Sequence, residues 1–88
     1  MSPYKRIIIG DHALREMRKA LPPITRADIR NVFERGVRRL AEEQRVGGEV
    51  RWAKRYVVPR REKLAEILYF EHATEAEIIT VYWVGEYD

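Results

Sequence analysis

The 88-residue chain has no cysteine and one serine, Ser2. The first absence excludes disulfides and thiolate metal sites and suits a reducing compartment. The second leaves no serine nucleophile outside a terminal segment of the kind that frays. Histidine is almost as scarce. His12 and His72 lie far apart in the sequence, with no paired ligand spacing, so neither a metal site nor a cofactor is expected. Glycine is sparse too, and Gly47-Gly48 lacks the rest of a phosphate-binding loop. Near the N-terminus the only apolar run is Ile7-Ile8-Ile9, too short for a secretory leader or a membrane span. These absences predict a soluble cytoplasmic protein.

Lysine and arginine are missing from one end of the chain. Residues 64–88 contain neither, and hold six acids (Glu66, Glu71, Glu75, Glu77, Glu86 and Asp88), a balance of −6. Residues 1–63 carry all seventeen cations against eight acids, a balance of +9. Thirteen of the cations are arginine, whose planar fork matches phosphate better than lysine does. Such asymmetry fits either a polyanion-binding surface or a salt-bridged one. With 45% hydrophobic residues, five glycines and four prolines, the composition is that of one small globular domain spanning 1–88.

The pattern along the chain predicts an α+β fold. Tyr4 to Ile9 reads as a strand, with the isoleucine run in a buried position. Gly10 ends it, and Asp11 is placed to N-cap a helix reaching about Ala20. Ala13, Leu14, Met17, Ala20 and Leu21 share one face of that helix, and Pro22-Pro23 stops it. Thr25 with Asp28 forms a capping-box pair for a second helix, and Ile24 with Ile29 forms its hydrophobic staple. Val32 and Phe33 continue its buried face, and Gly36 stands where a left-handed C-terminal cap is expected. Residues 37–40 are ambiguous, and Gly47-Gly48 marks a turn. Val50 to Val58 reads as a strand with Trp52, Lys54, Tyr56 and Val58 on one face and Arg51, Ala53, Arg55 and Val57 on the other. Pro59-Arg60-Arg61-Glu62 forms the next turn. Leu64 to Phe70 fits a helix or a strand, its aromatic end favouring strand, and Ile78 to Val84 reads as a strand. The order is therefore a strand, two helices, then an antiparallel meander of three or more strands, with both helices on one face of the sheet.

His12-Ala13, Met17, Ile24-Thr25, Asp28-Ile29, Gly36 and Ile79-Thr80-Val81-Tyr82 together resemble the small bacterial proteins of the domain-of-unknown-function 4258 family. The resemblance spans nearly the whole chain. The chain departs from it at Ala20-Leu21-Pro22-Pro23, where the family usually carries an Arg before a Gly-Ile pair. The resemblance implies a RelE/barnase-like fold, similar to RelE- and BrnT-type toxins, and so a toxin-like RNA-binding protein with RNA or an acidic antitoxin-like protein as partner. Two readings stand side by side: a metal-independent ribonuclease of a toxin–antitoxin type system, and a non-catalytic binding module for nucleic acid or an acidic protein.

Metal-independent cleavage of RNA needs an activated 2′-hydroxyl, a stabilised phosphate charge and a protonated leaving oxygen. His12, at a helix N-terminus and off the apolar stripe, is the first candidate for proton transfer. If Ile79, Val81 and Trp83 face the helices, Thr80 and Tyr82 face the open side, where Arg51 and Arg55 join them. The expected catalytic set is thus His12, Tyr82, Thr80 and Arg51. The expected nucleic-acid-binding set is Arg51, Arg55, Lys54 and Tyr56, with Lys54 alternating away from the two arginines. His72 reads as a solvated turn residue.

Overall fold

The computed structural model of the protein describes residues 5–46, 49–59 and 61–85. Its elements run β1 (Arg6–Ile9), α1 (Asp11–Lys19), α2 (Arg26–Arg35), β2 (Val37–Val46), β3 (Glu49–Val58), β4 (Lys63–Glu71) and β5 (Glu75–Trp83). The expected α+β class is what the structure has, two helices on a five-stranded mixed sheet of order β1-β5-β4-β3-β2. Neighbours from β2 to β5 are antiparallel, and β1 alone runs parallel to its partner, with Arg6 opposite Glu75 and Ile9 opposite Ile78. A parallel pair cannot be closed by a tight turn. Here the rest of the chain forms the connection, so the first and last strands lie side by side.

Period-2 alternation divides the sheet into a covered and an open face. Ala65, Ile67 and Tyr69 of β4 and Ile78, Val81 and Trp83 of β5 form one core with Ala13 and Met17 of α1 and Ile29 and Val32 of α2. Both helices therefore cover the same face. Strand β5 reaches that pattern through a bulge. Thr80 pairs with Leu68 and Ile78 with Tyr69, so Ile79 is the extra residue, and Ile78 takes the buried position expected of Ile79. Thr80 and Tyr82 keep their place on the open face.

The second helix forms as its sequence predicts. Thr25 Oγ1 accepts from the Asp28 amide, and the Asp28 carboxylate accepts from the Thr25 amide, both at 3.1 Å. Ile24 and Ile29 are buried on either side of the cap. Its far end differs. Gly36 has φ −73° and ψ 153°, an extended conformation open to any residue, so left-handed geometry is not why glycine stands there. The reason is close approach. A Cβ at Gly36 would lie 2.6 Å from the Val32 carbonyl oxygen and 2.8 Å from that of Arg55.

Several other local expectations are corrected. Gly10, not Asp11, occupies the N-cap of α1. Asp11 is the first helical residue, where its charge still suits the helix dipole. The helix ends at Lys19, and Leu21 is 74% exposed instead of lying on the apolar face, because the chain has already turned toward Pro22. The Pro22 carbonyl accepts from Trp83 Nε1 at 2.8 Å, tying this connection to the end of β5. The isoleucine run is not uniformly buried. Ile7 and Ile9 pack on the core, while Ile8 alternates to the open face of a strand at the sheet edge. Phe33 is half-buried against Tyr69 rather than central to the core. The ambiguous residues 37–40 begin β2, and 64–70 lie within β4. Tyr4, Gly47-Gly48 and Arg60 lie outside the described residues.

Candidate nucleic-acid interface

The open face is assembled by register. Across β3, β4 and β5, Arg55 pairs with Glu66 and Glu66 with Tyr82, making one row. Ala53, Leu68 and Thr80 make the next, with Arg39 of β2 opposite Ala53. Arg51, Phe70 and Glu77 make the third. Sequence-distant side chains thus meet because paired residues on neighbouring strands share a face.

Glu66 is the centre of the first row. It is 3% exposed, and three side chains donate to its carboxylate: the Tyr82 hydroxyl to Oε2, and both Arg55 Nε and Arg39 Nη2 to Oε1, the last at 2.8 Å. Burial alone would raise its pKa. The hydrogen bonds from Tyr82, Arg55 and Arg39 outweigh burial and hold the carboxyl below its ordinary range. Burial, and then the hydrogen bond to Glu66, push the Tyr82 hydroxyl up to about 12. The same carboxylate raises the pKa of Arg55. At neutral pH Glu66 is therefore a carboxylate and Tyr82 a neutral phenol, with the Arg55 guanidinium in the same row and that of Arg39 reaching in from the next. The guanidinium of Arg51 lies 5.6 Å from the Phe70 ring centroid, a cation–π arrangement on the same face.

Of the expected site residues, Arg51, Arg55, Thr80 and Tyr82 share this face. His12 does not join them. It is exposed on α1, a helix that packs through Ala13 and Met17 onto the covered face, whereas Tyr82 alternates to the open one. The expected catalytic set is therefore not brought together, since His12 and Tyr82 lie on opposite sides of the sheet. Lys54 and Tyr56 also lie on the covered side. Lys54 Nζ donates to the Phe33 carbonyl at 2.6 Å, and Tyr56 packs beside the core. His72 is exposed just after β4, its Nε2 3.7 Å from the Glu77 carboxylate. Among the described residues no cluster of His, Asp or Glu is arranged to hold a metal ion, and no helix is long and apolar enough to cross a membrane.

Two residues of the face escaped the sequence reading, Glu66 and Arg39. Glu66 had a visible signal, a lone charge in Leu64-Ala65-Glu66-Ile67-Leu68-Tyr69-Phe70. Arg39 had none, since the direction of its side chain depends on residues 37–40 being a strand. No family model, curated protein or solved structure matches the chain, so the geometry carries the functional reading.

Proposed function

We propose that the open face of the sheet binds the sugar–phosphate backbone of RNA, as a non-catalytic module. The observation that carries this reading is the pair of guanidinium groups held by buried Glu66. Arg39 and Arg55 are about half exposed, at 49% and 45% of their side chains, yet anchored on one carboxylate. Anchoring limits the entropy lost when a planar fork meets phosphate oxygens. Two guanidiniums on one carboxylate leave a positive balance, and Arg51, whose row also holds Glu77, sets a third guanidinium beside Phe70. Aromatic rings among cations are the usual composition of a surface that takes single-stranded nucleic acid. The likeness of the sequence motifs to a family whose fold relatives include RNA-cleaving toxins points to the same ligand, as analogy.

The binding reading is preferred to cleavage for a chemical reason. General acid–base catalysis works best with groups titrating near the working pH. Tyr82 is displaced upward and Glu66 downward, and His12 is on the other side of the sheet.

The test is fluorescence anisotropy with a labelled single-stranded RNA over a range of salt. Replacing both Arg51 and Arg55 with Ala should weaken binding regardless of sequence and flatten the log–log salt slope by up to about two units. Arg51→Ala alone, which leaves the Glu66 row intact, should flatten it by up to about one. Binding equal to the parent at matched salt would defeat the proposal. Incubating the same RNA in chelator covers the other reading: products that disappear with Glu66→Gln or Tyr82→Phe would make the row catalytic.

A further inference from the structure

The covered face carries a second charged cluster, at the end of α2 and outside the surface just described. Glu71 pairs in register with core residue Ala76 and so faces the helix side. Lys5 Nζ lies 2.8 Å from its carboxylate, and Arg38 bonds it from the opposite direction. The Arg38 guanidinium sits 4.4 Å from the Trp52 ring centroid. On the same face, Lys54 Nζ lies 4.2 Å from the Phe33 centroid and 5.9 Å from that of Tyr69. Two cations thus bond one carboxylate and a third, Lys54, feels its charge, a balance of +2 beside the Trp52, Phe33 and Tyr69 rings.

Tyr69 is fully buried, and its hydroxyl has no hydrogen-bond partner among the described residues. A buried hydroxyl left unpaired bears its desolvation cost without return, and most such groups in native folds are satisfied. This one feels the charges of Glu71 and Arg38, and burial lifts its pKa to about 12, so it is a neutral donor at ordinary pH. Lys54 is strained in a related way. Burial lowers its pKa, Glu71 opposes that effect, and Arg38 and Lys5 add to it. Its hydrogen bond to Phe33 uses one of three ammonium donors. An anion placed among these cations would relieve the crowding of positive charge, and by displacing what covers the Tyr69 hydroxyl it would give that group an acceptor.

We propose that Lys5, Arg38, Lys54 and Tyr69 form a binding site for a phosphate dianion, free or as the end group of a monoester. The charge fits, since a phosphate group near neutrality carries about −1.5 to −2. The donors fit as well: ammonium, guanidinium and a phenol hydroxyl supply the charge-assisted bonds that phosphate oxygens accept. Glu71 holds two of the cations in place and is a positioning residue.

The test is an amide NMR titration of the full chain with potassium phosphate at pH 7.5, against potassium chloride at equal ionic strength. Saturable shifts are expected around Phe33, Arg38, Trp52 to Lys54 and Tyr69 to Glu71. Tyr69→Phe retains the ring and removes an unpaired hydroxyl, so it should melt at or above the parent temperature while weakening phosphate binding about tenfold. Titration with adenosine monophosphate separates the sources: tighter binding than inorganic phosphate at the same residues identifies a monoester, and weaker binding identifies free phosphate. No saturable shift beyond the chloride control would overturn the site. So would an affinity unchanged by Tyr69→Phe, or shifts confined to Arg39 and Arg55. Because the two sites lie on opposite faces, failure of this one leaves the RNA reading standing.

Discussion

Glu66 shows how one buried carboxylate organises a surface. Isolated, it would be costly to bury; with three donors it becomes the anchor for Arg39, Arg55 and Tyr82. Its pKa is depressed in the folded state, so the stability it contributes is present above the usual carboxylate range, near 4.5, and is lost as pH falls through the lower folded value. The urea midpoint of the parent should therefore fall more steeply between pH 7 and pH 3 than that of Glu66→Gln. Equal losses would show that the row adds nothing to folding. Glu71, lowered chiefly by its hydrogen bond from Lys5, should leave both proteins with a residual acid sensitivity. Gly36 makes a second prediction at this scale. Gly36→Ala sets a methyl against two backbone oxygens that cannot swing away, and should cost about 1–3 kcal/mol by denaturation. A neutral result would mean that α2 and β3 can separate there without penalty.

Helix α2 illustrates how an element joins local and tertiary signals. Its capping box is local, and Thr25→Ala should destabilise the protein by about 1 kcal/mol, read from the urea midpoint. An unchanged midpoint would show that Asp28 or water satisfies the first turn unaided. Phe33, at the other end of the helix, is a tertiary matter. Its ring meets Tyr69 edge-on at a centroid distance of 5.2 Å and carries Lys54 on its face. Being half-buried, it should cost less on Phe33→Ala than the roughly 3–5 kcal/mol of a fully enclosed ring. A loss in the full range would show that it closes the core rather than its margin.

At the scale of the whole molecule, the charge split along the chain is folded back on itself. The acid-rich strands β4 and β5 lie between β1 and the arginine-bearing β3 and β2. Glu66 consequently meets Arg55 and Arg39, and Glu71 meets Lys5 and Arg38. What reads as two opposed halves becomes a sheet whose acidic strands lie between basic ones, with one group of arginines on the open face and one group of cations on the covered face. The same order ranks the strands by protection. Strand β4 is bonded on both sides by antiparallel neighbours, whereas β2 is an edge strand. Amides of β4 should exchange with solvent only through global unfolding, and the outward-facing amides of β2 far sooner. Comparable exchange rates in the two strands would contradict this ranking.

The sequence by itself determined what depends on neighbouring residues. Thr25 and Asp28 write the start of α2, and alternation from Val50 to Val58 separates Arg51 and Arg55 from Lys54. Alternation in β5 likewise puts Thr80 and Tyr82 on the face away from the helices. Only the tertiary structure decided what depends on pairing between distant segments. The bulge that makes Ile79 the extra residue arises from the register of β4 against β5, and no local pattern announces it. His12 was legible as a helix-start residue, but its distance from Tyr82 follows from which face α1 covers. Glu66 was readable as an oddity in an apolar strand, yet its role required Arg39, Arg55 and Tyr82 to arrive from three other strands. The physical reason is the range of the forces involved. Caps, turns and side-chain alternation are settled within a few residues, whereas a buried charge is tolerated only when distant donors converge on it.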